Sequence, residues 1–475
     1  MKNICIVGGG TSGWLSAFLI SNLTDYKVTI IDSDKVPTIG VGEGTTGIFT
    51  DVVIKNYVHK FNLNINELEF LHACDATYKL GINFEGWTKK DYFEPIDLLL
   101  WGRLSTIDVD HNIERSIVSH LVNSDYDMSE STYFSVLNKY NKNVRNDDVY
   151  AYHFDSDKIC EFLKTKSNVT IKNLKVNHVL TNENGIDEII LEDDTRVKSD
   201  FFIDCTGFRR ALIKELSDEW INFNQFLPVN SAYVYRENKQ IANRYTNAKA
   251  MNCGWKWTIP TRSRTGNGYI FSDNFCSHDE AVRELDVEPD RLIKFDSGHL
   301  KYSWNKNCIA IGLSSVFLEP MEATSIHTTI VQILTFLELI RNNQFAIQYN
   351  NRVYNDYINK LVEHFRDFIL LHYRSGKQDT EFWKYMQSDS VKTDTITELE
   401  EVLKYDLPTQ DMFGSIHTNQ TIPYGTTALW YFVLIANGMI SKSVSKKYFE
   451  KLSDHDKQNT INQVQKFYIE SRNLI

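Results

Sequence analysis

Three glycines near the start of the chain have the spacing of a dinucleotide-binding loop. Gly8, Gly10 and Gly13 follow the apolar run at residues 3–7 and precede a segment with a helical apolar face. In this arrangement glycines permit a tight turn, a close approach of the backbone to a pyrophosphate and close helix packing. Asp32 ends the next apolar run, nineteen residues after Gly13, where its carboxylate can accept hydrogen bonds from a ribose diol. The pattern predicts dinucleotide binding, and a glycine turn without a ligand is the alternative.

A second glycine-rich stretch favours FAD over NAD as the dinucleotide. Gly40, Val41 and Gly42 come soon after the strand that ends in the acid. The later stretch Asp204-Cys-Thr-Gly207 is similar to the second dinucleotide-contact strand of FAD-binding monooxygenase-type proteins. The predicted cofactor contacts at this end of the chain are Gly8, Gly10, Thr11, Gly13, Asp32, Gly40, Val41 and Gly42.

The elements that would position these loops predict an α/β fold. Residues 3–32 form a β-α-β unit, and apolar strands that run into glycine recur at residues 197–207 and 307–312. We therefore expect a Rossmann-like, monooxygenase-type FAD-binding sheet domain with an inserted antiparallel sheet and a helical C-terminal lobe that caps the substrate. The predicted division assigns residues 1–105, 150–215 and 300–345 to the discontinuous FAD-binding domain, 216–299 to the inserted lobe and 346–475 to the helical lobe.

Composition narrows the class of protein. The chain has 475 residues, 42% of them hydrophobic, a formal net charge of -11 and a pI near 5.7, which argue for a large core and against a nucleic-acid partner. Its seven cysteines are scattered singly, and no apolar run approaches the length of a membrane span. We expect a reduced, cytoplasmic protein without a membrane partner, and the scattered histidines and carboxylates predict no metal site.

Two ionisable residues could do chemistry in a closed site. Lys79 is the only cation in the apolar, β-leaning run at residues 75–87. It is either a lysine whose amine reaches water past apolar neighbours or a buried amine, and burial readily lowers the pKa of lysine. Glu322, just after Pro320, is either an ordinary acid near a helix N-terminus or the carboxylate partner of such an amine.

Two tryptophans could wall a passage. Trp255 and Trp257 flank Lys256, so on a strand both rings face the same side. Packing in the core is the alternative interpretation, and the two can hold together.

Several motifs together resemble those of the flavin-dependent halogenases of the tryptophan-halogenase type. They occur in family order between residue 8 and residue 326, and the lysine segment and the WxWxIP motif are the most specific. The matching stretches are residues 8–14 (GGGTSGW), 40–45 (GVGEGT), 76–87 (ATYKLGINFEGW), 254–260 (GWKWTIP) and 312–326 (GLSSVFLEPMEATSI).

The resemblance implies roles for particular residues. Lys79 and Glu322 would be catalytic, and Lys79 would either donate a hydrogen bond to hypohalous acid as an ammonium or form a haloamine as a neutral amine. Thr324 and Ser325 would bind halide through their backbone N–H groups, and Trp255 and Trp257 would line the passage between flavin and substrate. Leu313 and Ile326 would contact the flavin. The family often has Glu-Ser-Thr-Gly where this chain has Glu-Ala-Thr-Ser at residues 322–325.

The resemblance also implies the reaction and its partners. Reduced FAD, O2 and halide would make hypohalous acid, which would halogenate an electron-rich aromatic substrate of the indole, phenol or pyrrole type. A separate flavin reductase would supply the reduced FAD, and a homo-oligomer is expected. Trp101 is either a pocket wall or a packing residue, and His327 is expected to be a packed helix histidine. The alternative functions are a single-component FAD-dependent aromatic hydroxylase and a non-catalytic flavin-binding scaffold.

Overall fold

The computed structural model describes most of the chain. The described residues are 2–35, 42–55, 65–97, 112–142, 149–342, 347–409 and 427–472, with residues 40, 63 and 412. Val41 and Trp101, for which the sequence predicts a cofactor contact and a pocket wall, lie outside this part of the chain.

A six-stranded sheet positions the first glycine loop. Asn3–Val7 lies at its centre and pairs in parallel with Lys27–Ile31 and with Phe201–Asp204, which in turn pairs in parallel with Cys308–Ala310. These strands are almost entirely apolar because helices and loops cover both faces. The strand order is Trp304–Asn305, Cys308–Ala310, Phe201–Asp204, Asn3–Val7, Lys27–Ile31, Thr170–Lys172. The three predicted strand-to-glycine junctions therefore end at one edge of one sheet, the edge where α/β proteins bind ligands.

A seven-stranded, mostly antiparallel sheet forms the second layer, as predicted from alternating patterns after residue 216. Gly254–Pro260, which carries the two tryptophans, pairs with Thr246–Met251 and Thr265–Phe271. The strand order is Arg291–Lys294, Ser231–Glu237, Thr265–Phe271, Gly254–Pro260, Thr246–Met251, Gly81–Glu85, Tyr92–Pro95.

A small three-stranded sheet joins the second glycine loop to the lysine segment. Ala151–Phe154 is its central strand and pairs in antiparallel fashion with Glu43–Gly44 on one side and Thr77–Lys79 on the other. The lysine therefore lies two strands away from the second glycine loop.

The remaining described elements complete the layers. Two further three-stranded sheets comprise Arg196–Val197, Gly185–Leu191 and Val176–Asn182, and Trp220–Asn222, Gly298–Leu300 and Val316–Phe317. The α-helices are Thr11–Leu23, Gly47–Phe49, Glu67–Ala73, Asn112–Asn123, Met128–Lys142, Ser156–Lys166, His278–Leu285, Thr324–Asn342, Ile347–Tyr373, Glu381–Met386, Asp394–Val402, Thr427–Ala436, Lys442–Lys451 and Asp454–Arg472. Shorter turns are the π-helical Thr50–Ile54 and the 3-10 helices Gly207–Arg209, Ile213–Glu215, Gly312–Ser314 and Asp389–Val391.

The predicted helical C-terminal region is confirmed, whereas the division into three domains stays a prediction. Gly81–Glu85 and Tyr92–Pro95, which the division assigns to the FAD-binding domain, are strands of the seven-stranded sheet. None of the helices in the described ranges combines the length and the apolar character needed to span a bilayer.

Candidate active site

The first glycine loop presents backbone to an open space. Gly8 has φ +111°, and a Cβ there would lie 2.3 Å from the Cys205 carbonyl oxygen, while a Cβ at Gly13 would lie 1.8 Å from the Gly8 oxygen. A Cβ at Gly10 would meet nothing within 4 Å. Gly10 also caps the helix Thr11–Leu23, whose first turn contains no acidic residue. Open space before a helix N-terminus of this kind suits a phosphate group, so these residues fit the pyrophosphate of FAD.

Asp32 is held in place by two neighbours that the sequence analysis missed. The indole N–H of Trp14 donates a hydrogen bond to Asp32 Oδ2 at 3.2 Å. A Cβ at Gly9 would lie 1.7 Å from Asp32 Oδ1, so only glycine leaves room for the carboxylate. Burial raises the pKa of Asp32, and the hydrogen bond from Trp14 opposes that rise. The signal available in the sequence was a tryptophan placed directly after the glycine motif.

The second glycine loop contacts the first. The Thr11 hydroxyl donates a hydrogen bond to Glu43 Oε1 at 2.8 Å. Gly40 packs closely on Ser156, since a Cβ at Gly40 would lie 2.2 Å from the serine Oγ, and Gly42 has φ +143°. Burial raises the pKa of Glu43, while the hydrogen bond from Thr11 lowers it. The predicted contacts Thr11, Gly40 and Gly42 therefore lie on two connected loops.

The two predicted flavin contacts lie on segments that follow the last strand of the parallel sheet. Leu313 is half-buried in a 3-10 turn, and Ile326 is buried in the first turn of the helix that begins at Thr324. The hydroxyls of Ser12 and Thr329 lie 3.1 Å apart, so a hydrogen bond joins this helix to the segment that follows the first glycine loop.

Lys79 is buried at the end of its strand. Its side chain is 1% exposed, and Nζ donates a hydrogen bond to the Thr45 carbonyl oxygen at 3.1 Å. A Cβ at Gly44 would lie 3.5 Å from Nζ, so the second glycine loop covers the amine. Burial lowers the pKa of Lys79 to about 8, and the carboxyl groups of Glu322 and Glu94 oppose that shift. The structure therefore excludes the interpretation of Lys79 as a lysine that extends into water.

Glu322 precedes the helix that the sequence analysis assigned to halide binding. It is 5% exposed. The next residue, Ala323, adopts a left-handed backbone with φ +53°, a conformation that strains a residue with a Cβ. The helix begins at Thr324, which is buried, and continues through the half-buried Ser325. The backbone N–H groups at this helix start have the direction that favours an anion.

A second carboxyl group and a histidine adjoin Glu322, and the sequence analysis missed both. His372 Nε2 lies 3.2 Å from Glu322 Oε1 and 3.7 Å from Glu94 Oε2. Neither contact is a hydrogen bond in this arrangement. The Tyr92 hydroxyl lies 2.9 Å from the other ring nitrogen, Nδ1. One oxygen or nitrogen atom from each of Glu94, Glu322 and His372 falls within 4.8 Å of the others, so the three side chains form one buried polar cluster. No sequence spacing indicated this group.

The two tryptophans of the central strand are fixed by different partners. Trp255 is 1% exposed, and its indole N–H donates to Glu319 Oε1 at 3.0 Å. Burial raises the pKa of Glu319 to about 8. The two indole rings lie 6.0 Å apart, and Trp257 covers Gly268, where a Cβ would lie 2.1 Å from its ring. Both rings lie on one face of the strand, and their role as a passage wall stays a prediction.

The short strand Glu43–Gly44 connects the first glycine loop with the buried ionisable groups around Lys79. Glu43 contacts the first glycine loop, and its neighbour Gly44 covers the lysine, so one short strand touches both. An amine and a carboxylate held away from water can polarise an electrophile and accept a proton.

Comparison with known proteins identifies the class. Residues 3–451 match the family described as tryptophan halogenase. Tryptophan 6-halogenase SttH of Streptomyces toxytricini is 29% identical over 512 residues, which cover 95% of this chain and 94% of SttH. Tryptophan 7-halogenase RebH of Lentzea aerocolonigenes is 30% identical over 426 residues, which cover 81% of this chain and 78% of RebH.

A solved structure agrees on the fold. The crystal structure of a tryptophan halogenase from Shewanella frigidimarina superposes with a TM-score of 0.84, at 23% identity and with coverage of 100% of this chain and 95% of that chain. The protein is thus an enzyme of the flavin-dependent halogenase class. The chain belongs to the tryptophan halogenase family.

Proposed function

We propose that this enzyme halogenates an electron-rich aromatic ring with hypohalous acid, using Lys79 and Glu322. Reduced FAD, when bound, supplies hypohalous acid from O2 and a halide ion. Gly8, Gly10 and Gly13 would surround the pyrophosphate of FAD, and Asp32 would bind its ribose. Further contacts to FAD would come from Thr11, Gly40, Gly42, Leu313 and Ile326. Thr324 and Ser325 bind the halide through their backbone N–H groups.

The buried amine of Lys79 is the observation that supports this proposal. Its ammonium group donates a hydrogen bond to hypohalous acid and makes the halogen more electrophilic. The short strand Glu43–Gly44 extends from the nucleotide loop to the amine, and Trp255 and Trp257 keep the substrate away from the flavin. Exclusion of water preserves the oxidant until it meets the substrate.

Glu322 accepts the ring proton. Attack of the aromatic ring on the halogen leaves a cationic ring that must lose a proton to regain aromaticity. A carboxylate near the ammonium balances charge in a dry pocket, where either charge alone would be costly. The proposed substrate is an indole, phenol or pyrrole; the relatives SttH and RebH are named for tryptophan, so the indole class is the first to examine.

The test is mass spectrometry of a panel of aromatic substrates. The enzyme is incubated with FAD, NADH, a separate flavin reductase and either chloride or bromide, and with tryptophan, indole or phenol. We expect a product with the halogen isotope pattern from the wild type and none from Lys79→Ala, while flavin oxidation continues in both. Lys249→Ala, at a half-exposed lysine of the seven-stranded sheet, is the matched control. A hydroxylated product, or a halogenated product that is unaffected by Lys79→Ala, contradicts the proposal.

A further inference from the structure

Glu94 is a carboxyl group that the proposed reaction has not used, although it faces the same buried cluster as Lys79. It lies on the strand Tyr92–Pro95, is 3% exposed, and its Oε2 has no hydrogen bond to any described residue. His372, at the end of the helix Ile347–Tyr373, lies between it and Glu322. A buried polar atom directed into a site without a fixed partner is a candidate for transient proton transfer.

Two carboxyl groups in one dry site do not both ionise readily. Burial and the charge of Glu322 raise the pKa of Glu94 well above its usual value, and the ammonium of Lys79 opposes this only in part. Of the two carboxyl groups, Glu322 has the larger influence on the pKa of Lys79. Burial and the neighbouring carboxyl group therefore favour the protonated form of Glu94, the form in which it can act as an acid. Environments that separate two such groups assign one as acid and the other as base.

We propose that Glu94 is the general acid of halogenation and that His372 returns its proton from Glu322. This inference rests on the proposed function. As the halogen–oxygen bond of hypohalous acid breaks and the carbon–halogen bond forms, Glu94 gives its proton to the departing oxygen, which leaves as water. Glu322 then takes the ring proton, and the electron pair of that C–H bond restores the aromatic ring.

The proton cycle closes inside the cluster. The proton on Glu322 moves to His372 Nε2, and from there to the Glu94 carboxylate, so aromatic ring plus hypohalous acid gives halogenated ring plus water with no net proton. Lys79 remains an ammonium that binds hypohalous acid. Rotation about the last side-chain torsion of either glutamate, which is broad and soft, can align the transfers. Tyr92 holds the imidazole from its other nitrogen, and Phe84 stacks on the ring at a centroid distance of 4.6 Å.

The ammonium of Lys79 near the two carboxyl groups favours His372 as a proton carrier over His372 as a metal ligand. The ammonium of Lys79 acts on both carboxyl groups, so a cation already balances the charge of the cluster. A divalent ion would add charge to a site where the lysine must remain protonated.

Glu94→Gln tests the acid role, because it keeps the shape and hydrogen-bonding capacity but cannot give up a proton. We expect kcat for halogenation to fall about 100-fold, with KM, FAD binding and hypohalous acid formation unchanged. Glu94→Asp should restore part of the loss. The matched control is Glu85→Gln, on the adjacent strand of the same sheet and paired with Lys249 at a partly exposed position, and it should keep wild-type kcat.

His372→Asn tests the return of the proton. We expect the first turnover at the wild-type rate and slower later turnovers, because Glu94 must then regain its proton from solvent. Wild-type kcat in Glu94→Gln, or a parallel loss of FAD binding and hypohalous acid formation, would overturn the inference. Loss of wild-type activity with a chelator and recovery with a divalent ion would also overturn it, in favour of a metal site. If the wild type makes no halogenated product at all, the proposed function fails instead.

Discussion

Raising the pH should suppress halogenation before it affects formation of hypohalous acid, because the ammonium of Lys79 is needed only for the second step. Burial brings the pKa of Lys79 from 10.5 to about 8. Between about pH 6.5 and about pH 9.5 the ammonium fraction then falls roughly 30-fold, whereas a lysine with an ordinary pKa would lose only about a tenth of it. Halogenated product should fall by at least this factor across the range, since hypohalous acid also loses its proton as the pH rises.

The assay separates the two steps. Halogenated product is measured by mass spectrometry in single turnovers with reduced FAD, and hypohalous acid is trapped by a diketone without substrate. Glu322→Gln removes the carboxylate that raises the pKa of Lys79, so the decline should move to lower pH, although total activity is lower. Hypohalous acid ionises at the same pH with the wild type and with Glu322→Gln, so a difference between their midpoints reports on Lys79. An unmoved midpoint, or product and trapped oxidant falling together, would refute the reasoning.

Three further changes test the positions around the cofactor and the amine. Gly312→Ala should lower the free energy of unfolding by about 1–3 kcal/mol and weaken FAD binding, because Gly312 has φ +67° and a Cβ would lie 2.0 Å from Ser12 Oγ; unchanged thermal unfolding contradicts this. Trp14→Phe should raise the pKa of Asp32 further, since the indole hydrogen bond lowers it. As the pH is lowered, the variant should therefore lose FAD affinity at a higher pH than the wild type does. An affinity difference that is the same at every pH argues against this. Gly44→Ala places a methyl group in ordinary contact with the buried amine, 3.5 Å from Nζ. The variant should fold, and its yield of halogenated product should fall while its yield of trapped hypohalous acid does not. Equal losses of halogenated product and trapped hypohalous acid would contradict the covering role of this residue.

The parts of the fold that local patterns encode were predictable. The strand, glycine loop and helix at residues 3–23 follow from apolar spacing and glycine positions that lie within one β-α-β unit, and the register of Asn3–Val7 with Lys27–Ile31 agrees with it. Alternation of apolar residues predicted the antiparallel strands around Gly254–Pro260. The resemblance to halogenases supplied Lys79 as a candidate, and its burial could not be read from the run itself.

The cluster around His372 could not be predicted, because it depends on pairings between distant segments. Gly81–Glu85 joins the sheet through parallel pairing with Thr246–Met251, and this pairing carries the next strand, with Glu94, toward the end of a long helix. Glu94 and His372 are 278 positions apart, and neither stands in a spacing that indicates chemistry. Trp14 was missed for a different reason, since a tryptophan after a glycine loop usually indicates packing alone.

The most direct test of the account is the fate of the oxidant in Lys79→Met. Methionine has a similar length but no charge, so the pocket remains filled while the group that receives hypohalous acid is lost. The account predicts that halogenated product disappears and that the hypohalous acid trapped in solution rises to match the reduced flavin consumed. Halogenated product at the wild-type level, or loss of the trapped oxidant together with the product, would contradict the separation of oxidant formation from its use at Lys79.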